Sequence, residues 1–146
     1  MEIRQLKIDE LEGLFQLADQ FFVDSEFLKD FDRDIFVQSW RGFLNSGNGI
    51  IFVMEKDGVF TGAIGALKFP DPNNGRLIAS ELFWYVDREH RGHGLKLLDA
   101  FEAWADSCGC QQKTMVYLAD LMPEQVKHIY ERKGYKQMEI HYTKEN

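Results

Sequence analysis

Residues 84–101 change from a strand pattern to a helix pattern across a short basic turn. The stretch reads WYVDREHRGHGLKLLDAF, with aromatic and β-branched residues first and apolar residues at helical spacing last. Gly92 and Gly94 punctuate the turn between the two patterns. The first N–H groups of a helix have no intrahelical acceptor, and the helix dipole makes that end positive. The stretch therefore predicts a strand, a tight turn and a helix whose start can hold an anion.

The turn also gathers positive charge in a chain whose formal net charge is -7. Arg88, Arg91 and Lys96 supply full charges, and the glycines let a phosphate approach the backbone without a Cβ in the way. A dinucleotide fingerprint requires a third glycine where Leu97 stands, and a Walker loop requires Gly-Lys-Ser/Thr at its end. The residues therefore predict a phosphate-binding turn that is neither a dinucleotide-binding loop nor a Walker loop. One alternative stays open, a helix start in which the glycines serve only to turn the chain.

The bulk composition indicates one folded domain covering residues 1–146. The chain is 45% hydrophobic and 14% aromatic, enough to build a core at this length. It contains no run of about 18 apolar residues, and its charged start, MEIRQLKIDE, lacks the apolar segment of a signal peptide. We therefore expect a cytoplasmic protein without membrane partners. The acidic balance also disfavours nucleic acid as a partner.

The cysteine and histidine positions predict neither a disulfide nor a metal site. Cys108 and Cys110 are too close in sequence for an easy disulfide, and no second pair is present to complete a zinc site. We interpret both as reduced packing residues at a helix end. The four histidines show no recognised ligand spacing, so we expect no metal.

The first half of the chain combines a strand, two helices and a hairpin. MEIRQL has a strand pattern, and the next segment repeats apolar residues at helical spacing with Asp9 as its cap. A second helix is predicted from about Asp32 to Leu44, followed by Gly47. Two strand-like runs then flank the hairpin signal Asp57-Gly58 in GIIFVMEKDGVFTGAIGALKF.

The second half continues with the strand RLIASELFWYVD and a helix from about Gly94 to Cys108. KTMVYLA has the pattern of a short buried strand. PEQVKHIYERKG predicts a helix that starts with Pro123 and stops at Gly134, and YKQMEIHYTK predicts a closing strand. This order of elements predicts a single mixed α/β domain.

Two motifs carry a resemblance to the GNAT superfamily of N-acetyltransferases. YVDREHRGHGLKLLDAFEAWA is similar to the family's coenzyme A signature, an Arg/Gln-x-x-Gly-x-Gly/Ala turn. IYERKGYKQMEIHYTK is similar to its Tyr-x-x-x-Gly-Phe/Tyr block, at Tyr130, Gly134 and Tyr135. The chain departs from the family pattern at Lys96, where a small residue is usual. It departs again at Pro123 and Val126, where many members have Asn and Ala.

The resemblance implies a GNAT-like fold, α/β (α+β), with a mixed, mostly antiparallel central sheet flanked by about four helices. It implies acetyl-CoA as cosubstrate, with the pantetheine arm beside Trp84, Tyr85 and Val86. The pyrophosphate is then expected on the backbone of the turn and the helix start, formed by Arg91, Gly92, His93, Gly94, Leu95 and Lys96. The implied reaction is direct attack of a primary amine on the thioester, without a covalent enzyme intermediate.

Glu81 and Tyr130 are the candidate catalytic residues. On an extended strand Glu81 shares a face with Phe83 and Tyr85, and a carboxylate among aromatics has a raised pKa suited to accepting a proton, directly or through water. The alternative is a pocket-lining glutamate that makes only a structural hydrogen bond. Tyr130 aligns with the family tyrosine that often protonates the coenzyme A thiolate. Its alternative role is packing of an amphipathic helix on the sheet.

The resemblance implies that the first two helices and their connection build the acceptor pocket. Five carboxylates and four aromatic rings of that region are candidates to line the pocket, and they are Asp24, Glu26, Asp30, Asp32, Asp34, Phe21, Phe22, Phe27 and Phe31. Acids and aromatic faces suit a cationic amine, either a small molecule such as a polyamine or amino sugar, or the lysine or N-terminal amine of a peptide. The alternative is that the rings are core and the acids are solvated.

A second class of function also stays open. The departures at Lys96, Pro123 and Val126 are compatible with a non-catalytic GNAT-like module that binds coenzyme A or contacts a partner protein. A homodimer also stays open.

Overall fold

The computed structural model describes residues 1–118 and 121–146. Its contacts divide the chain into two units, residues 1–116 and 117–146. The first unit contains a five-stranded sheet in the order β1-β2-β3-β4-β5. The strands are β1 (Glu2–Gln5), β2 (Gly49–Lys56), β3 (Val59–Pro70), β4 (Leu77–Val86) and β5 (Gln112–Thr114). The first three pairings are antiparallel and β4 pairs with β5 in parallel, which confirms the predicted mixed, mostly antiparallel sheet.

The hairpin between β2 and β3 forms at the predicted dipeptide. Asp57 and Gly58 both have positive φ, 53° and 77°. Two successive positive φ values are the requirement of a tight turn that matches the twist of the strands. The prediction from Asp57-Gly58 is confirmed.

The first helical segment begins earlier than predicted. A 3₁₀-helix spans Ile8–Leu14, and α1 follows at Phe15–Asp24. Lys7, not Asp9, is the capping position, because the Lys7 N–H donates to the Glu10 carboxylate at 2.8 Å and the Glu10 N–H donates to the Lys7 carbonyl at 2.9 Å. The prediction of Asp9 as the cap is therefore wrong.

The second helix, α2, spans Arg33–Asn45 as the sequence predicts. Asp32 caps it, since its carboxylate accepts a hydrogen bond from the Ile35 N–H at 3.0 Å. Gly47 follows the helix with a φ of 78°, a left-handed conformation that favours glycine.

Helices cover both faces of the sheet. On one face, α1, α2 and the 3₁₀-helix bury a core with β2, β3 and β4 that contains Leu11, Leu14, Leu17, Trp40, Ile51, Val53, Ala63 and Phe83. On the other face lies α3 (Leu95–Ser107), which buries Leu97, Leu98 and Phe101 completely. Gly62 borders Leu97 while Gly65 borders Trp40, as expected for residues an odd number of positions apart on one strand. Cys108 caps the end of α3, and both cysteines are free thiols.

The end of the chain departs from the sequence prediction in two places. β5 is only three residues long, and Met115 to Leu118 are not strand; Ala119 of the predicted KTMVYLA strand lies outside the described residues. The predicted closing strand at residues 135–144 is also wrong, because residues 135–146 have no regular structure. An alternating pattern becomes a strand only when a neighbour supplies ladder hydrogen bonds. Among the described residues of 117–146 there is no such neighbour.

The second unit contains α4 (Pro123–Arg132), which confirms the helix predicted from PEQVKHIYERKG. Pro123 occupies its first turn, and Gly134 ends it with a φ of 90°. None of the helices in the described ranges is both long enough and apolar enough to cross a membrane.

Candidate functional site

The segment between β4 and α3 has the predicted form of strand, turn and helix. After Val86, the Asp87 N–H donates to the Thr61 carbonyl of β3 at 2.9 Å. A turn follows in which the His90 N–H donates to the Asp87 carbonyl at 3.1 Å and to its carboxylate at 2.9 Å. The His90 ring holds the same carboxylate, with Nδ1 and Oδ1 2.6 Å apart. Arg91–His93 form a single 3₁₀ turn that leads directly into α3.

The start of α3 can accept an anion. Gly94 is the capping residue, and no side chain caps this end of the helix. The Leu97 N–H is satisfied by the Gly94 carbonyl at 3.1 Å. The N–H groups before it, at Leu95 and Lys96, belong to the first turn, where a helix offers no acceptor of its own. These amides and the helix dipole favour a bound negative group.

The two glycines of the turn are not required for turning. Gly94 has an ordinary right-handed conformation, φ -62° and ψ -24°, and Gly92 does not have a positive φ. At Gly94 a Cβ would lie 3.1 Å from the Val86 side chain, so close packing against β4 favours glycine. At Gly92 a Cβ would meet no atom within 4 Å. The open space beside Gly92 leaves its backbone accessible to a ligand.

The cations of the turn differ in their surroundings. In the described part of the chain, Arg91, His93 and Lys96 take part in no ion pair. Arg88 is different, because its Nη2 lies 2.7 Å from Oδ1 of Asp24 at the end of α1. Of the three cations that the sequence places in the turn, Arg88 is therefore held by a carboxylate. The Arg88–Asp24 pair was missed because no local pattern joins residues that are 64 positions apart.

The three β4 residues expected beside the pantetheine arm lie at the end of the strand that leads into this turn. Trp84 pairs with Ile64 and Val86 with Gly62 of β3, so the β3 side of β4 is filled. On its other side β4 pairs with β5 only from Ile78 to Ser80. Within residues 1–116, no strand pairs with this other edge of β4 from Glu81 to Val86. The end of this edge lies next to the start of α3, where Val86 and Trp84 are close to Gly94.

The side chains of the same residues have distinct packing. Val86 is buried, and Trp84 lies close to Gly94, where an added Cβ would be 3.7 Å from its Cζ2. The Tyr85 ring stacks on Phe83, with centroids 4.8 Å apart, and lies 4.4 Å from Phe21 of α1. Burial raises the pKa of Tyr85, and the nearby Glu81 charge raises it further. Tyr85 is therefore a neutral ring that joins β4 to α1.

Glu81 is buried, with only 4% of its surface exposed. Its Oε1 accepts a hydrogen bond from the Val116 N–H at 3.3 Å, two residues after β5 ends. Burial raises the pKa of Glu81 to about 8, although the Val116 hydrogen bond works in the opposite direction. The carboxyl group is thus poised to exchange a proton near neutral pH.

The strand alternation used to predict the orientation of Glu81 is interrupted. Phe83 pairs with Gly65, but Glu81 pairs with Ala66, so Leu82 is an extra residue and β4 contains a bulge. The prediction that Glu81 shares a face with Phe83 and Tyr85 therefore does not follow from spacing. A bulge cannot be seen in one strand alone, because it depends on the register with its partner.

Tyr130 lies in the second unit, on α4. Its ring is 5.7 Å from the ring of Tyr135, and the Tyr135 N–H donates to the Tyr130 carbonyl at 2.9 Å. These contacts close the end of the helix around Gly134 and tie together the motif Tyr-x-x-x-Gly-Tyr. The catalytic role of Tyr130 stays a prediction.

The connection between α1 and α2 contains an aromatic cluster. Phe31 lies 5.2 Å from Phe22 and 5.2 Å from Phe36, and its ring also contacts Phe15. These rings pack on one another, as the core alternative expected, whereas Phe27 is 44% exposed. Among the acids, Asp32 caps α2 and Asp24 binds Arg88, while Asp30 and Asp34 are exposed.

A surface groove of about 550 Å³ lies elsewhere, between the first helical segment and α2. Its lining is Glu12, Phe15, Asp34, Val37, Gln38, Arg41, Gly42 and Asn45. Asp34 belongs to the region expected to bind the acceptor. The other residues that line this groove were not predicted as site residues. Across the described ranges, no three His, Cys, Asp or Glu side chains come together in an arrangement that holds a metal ion.

Solved structures with the same fold are acetyltransferases of several kinds. Glucosamine-6-phosphate N-acetyltransferase from Arabidopsis thaliana is 20% identical, with a TM-score of 0.76 over 99% of this chain and 97% of that chain. Ribosomal-protein-alanine N-acetyltransferase from Brucella melitensis biovar Abortus 2308 is 17% identical, with a TM-score of 0.74 over all of both chains. AAC(6')-Iy, in complex with the bisubstrate analogue CoA-S-monomethyl-acetylneamine, is 18% identical, with a TM-score of 0.76 over 99% of this chain and 98% of that chain.

These likenesses establish the fold, and they confirm the predicted GNAT-like class. A sequence search of curated proteins finds no match to this chain. The family model described as acetyltransferase (GNAT) family matches residues 11–135, which include the turn at Arg91–His93, β4 with Glu81, and Tyr130. Since that match covers most of the chain, this protein belongs to the GNAT family of acetyltransferases.

Proposed function

We propose that this chain, acting as one catalytic domain over residues 1–146, moves an acetyl group from acetyl-CoA to a primary amine by direct attack on the thioester. One observation carries the proposal. Within residues 1–116 no strand pairs with the edge of β4 from Glu81 to Val86, and this edge leads to the start of α3, which no side chain caps. Amide groups along that edge suit the pantetheine arm, and the helix start suits the diphosphate.

The residues of the turn fit the coenzyme's anionic end. The open space at Gly92 admits a phosphate, and the amides of Leu95 and Lys96 donate to it. Arg91, His93 and Lys96 surround the turn with charge or hydrogen-bond donors. The Lys96 side chain is exposed, so it reaches outward while its amide serves the anion.

Acetyl-CoA supplies an activated carbonyl, and the chain must supply proton transfers. An amine in water is mostly protonated and must lose a proton before it attacks. The ionised form of Glu81, which predominates only above a pH of about 8, accepts that proton through water, because burial keeps the carboxylate from direct contact with a bulky acceptor. Tyr130 donates a proton to the departing sulfur. The competing role for Glu81 is the structural bond to Val116 alone.

We further infer a cationic acceptor of small or peptide size. Exposed carboxylates at Glu26, Asp30 and Asp34, with Phe27, lie on or beside the connection of α1 and α2. Their negative charge raises the local concentration of an ammonium group. Polyamines, amino sugars and the lysine or N-terminal amine of a peptide share this chemistry.

The test is thiol release from acetyl-CoA with a panel of such amines, and mass spectrometry of the products. We expect turnover with at least one cationic amine and a mass gain of one acetyl group on its nitrogen. Coenzyme A binding without turnover on any acceptor would favour the non-catalytic module. Absence of coenzyme A binding would refute the proposed function.

The catalytic roles have their own controls. Tyr130→Phe should lower kcat at least about tenfold with little change in coenzyme affinity, since a general acid typically contributes between a hundredfold and ten-thousandfold. Tyr142→Phe is the matched control, because Tyr142 is 94% exposed. Equal rates for the two variants would assign Tyr130 to packing.

A further inference from the structure

The Arg88–Asp24 ion pair joins the coenzyme turn to the acceptor side of the molecule. Nη2 of Arg88 lies 2.7 Å from Oδ1 of Asp24. Asp24 is the last residue of α1, and the connection to α2 follows it directly. The Arg88 side chain remains 64% exposed and that of Asp24 only 24%. The two regions expected to bind the two substrates are thus in direct contact through one pair of charges.

The position of Asp24 at the end of a helix favours pairing of its carboxylate with a cation. A carboxylate at the last residue of a helix faces the negative end of the helix dipole. In the described chain no cation other than Arg88 pairs with it. Ser25, which follows, is buried, and its Oγ accepts from the N–H groups of Phe27 and Leu28 at 3.1 and 3.3 Å. The carboxylate is therefore held at the start of a locally ordered connection.

Arg88 is also within reach of the proposed diphosphate position. It lies in the turn closed by the His90 N–H and the Asp87 carbonyl, three residues before Arg91. Three residues span at most about 11 Å, and a turn shortens that distance. A guanidinium presents two parallel donors, which can both bond to a phosphate. In the pair with Asp24, by contrast, Nη2 of Arg88 contacts a single carboxylate oxygen. An exposed ion pair is weak enough to be exchanged.

We propose that Arg88 is an additional phosphate-binding residue for the coenzyme. Before the coenzyme binds, Arg88 is paired with Asp24, and on binding it exchanges this carboxylate for the phosphates. This inference rests on the proposed function. When Arg88 turns to the phosphates, the Asp24 carboxylate is left beside the acceptor connection, together with Glu26 and Asp30. Coenzyme binding thereby creates the last part of the site for a cationic amine.

The test is calorimetric titration of coenzyme A into the wild type and four variants. Arg88→Gln should weaken binding about three- to tenfold, since it removes a charged contact. Asp24→Asn should tighten binding about two- to fivefold, because Arg88 is no longer held elsewhere. In the double variant, Asp24→Asn should add nothing to the effect of Arg88→Gln.

Asp19→Asn is the matched control for charge. Asp19 lies on the same helix but pairs with Arg33, its Oδ2 being 2.9 Å from Nη2. Its removal should change coenzyme affinity by less than about 1.5-fold, as expected for a screened surface charge. If Asp24→Asn fails to tighten binding, or if it tightens binding equally without Arg88, the inference is wrong. If the wild type does not bind coenzyme A at all, the proposed function fails instead.

A second measurement tests the effect of coenzyme binding on the amine site. With the acceptor found in the activity panel, Asp24→Asn should raise the KM for the amine severalfold, while Asp19→Asn should not. The wild type should bind the amine measurably only when coenzyme A is present. Equal amine affinity with and without coenzyme A would overturn the claim that the coenzyme exposes Asp24.

Discussion

Glu81→Gln changes how the stability of this protein depends on pH. The amide keeps the size of the side chain and an oxygen that can accept from the Val116 N–H. It removes the ionisable proton. In the folded chain burial raises the pKa of Glu81 from 4.5 to about 8, whereas the unfolded chain retains the lower value. Between these two pH values the folded wild type holds a proton that the unfolded chain has already released.

Unfolding therefore releases a proton in that interval, and the wild type loses stability as the pH rises. Linkage gives about 1.4 kcal/mol of unfolding free energy for each pH unit and each proton. From pH 4.5 to about 8 the loss attributable to Glu81 approaches about 5 kcal/mol, an upper bound because a buried site relaxes when it ionises. Below pH 4.5 the carboxyl is neutral in both states and contributes no dependence. Above pH 8 it is ionised in both states, so the loss is complete.

Urea unfolding at pH 5, 6, 7 and 8 measures this difference. Measured relative to the wild type, the free energy of unfolding of Glu81→Gln should increase progressively as the pH rises. Glu12→Gln, which removes an exposed carboxylate from the first 3₁₀-helix, is the control for general charge effects. A constant difference between wild type and Glu81→Gln over the whole range would refute a raised pKa at Glu81, and with it the argument for a base.

Two further predictions concern the scaffold that holds the site. Gly65→Ala should lower the free energy of unfolding by about 1–3 kcal/mol, because the added Cβ meets the Phe83 ring and lies 2.8 Å from Cη2 of Trp40. Thermal unfolding measures this loss. The control is Gly42→Ala, in open space on α2, which should stabilise the protein instead. Asp32→Ala should cost about 1 kcal/mol by removing the acceptor for the Ile35 N–H, and Asp32→Asn should restore most of it. An unchanged melting temperature for Gly65→Ala, or no rescue by Asp32→Asn, would contradict the packing and capping described above.

Features governed by neighbouring residues in sequence were predictable. The hairpin at Asp57-Gly58 requires positive φ at both positions, and the cap at Asp32 requires only a side-chain oxygen before a helix. The strand, basic turn and helix of residues 84–101 also follow from local periodicity and glycine punctuation.

Features set by distant partners were not predictable in the same way. The bulge at Leu82 depends on the register of β4 against β3, and it removes the spacing argument for the face of Glu81. The Arg88–Asp24 pair joins a turn and a helix end that no local pattern relates. The closing strand was predicted from alternation in residues 135–144, but alternation does not supply the neighbouring strand that its hydrogen bonds need.

The central claim is that the turn from Arg91 to Lys96 binds the coenzyme through its backbone, and Gly92→Leu tests it most directly. A Cβ added at Gly92 meets no atom within 4 Å, and Gly92 does not have a positive φ, so we expect the fold to accept a side chain there. Gly42→Leu, also in open space, is the matched control. By calorimetric titration with coenzyme A, we expect Gly92→Leu to bind at least about tenfold more weakly than the wild type at an unchanged melting temperature, and Gly42→Leu to bind normally. Wild-type affinity in Gly92→Leu would contradict the claim that this turn is the coenzyme site.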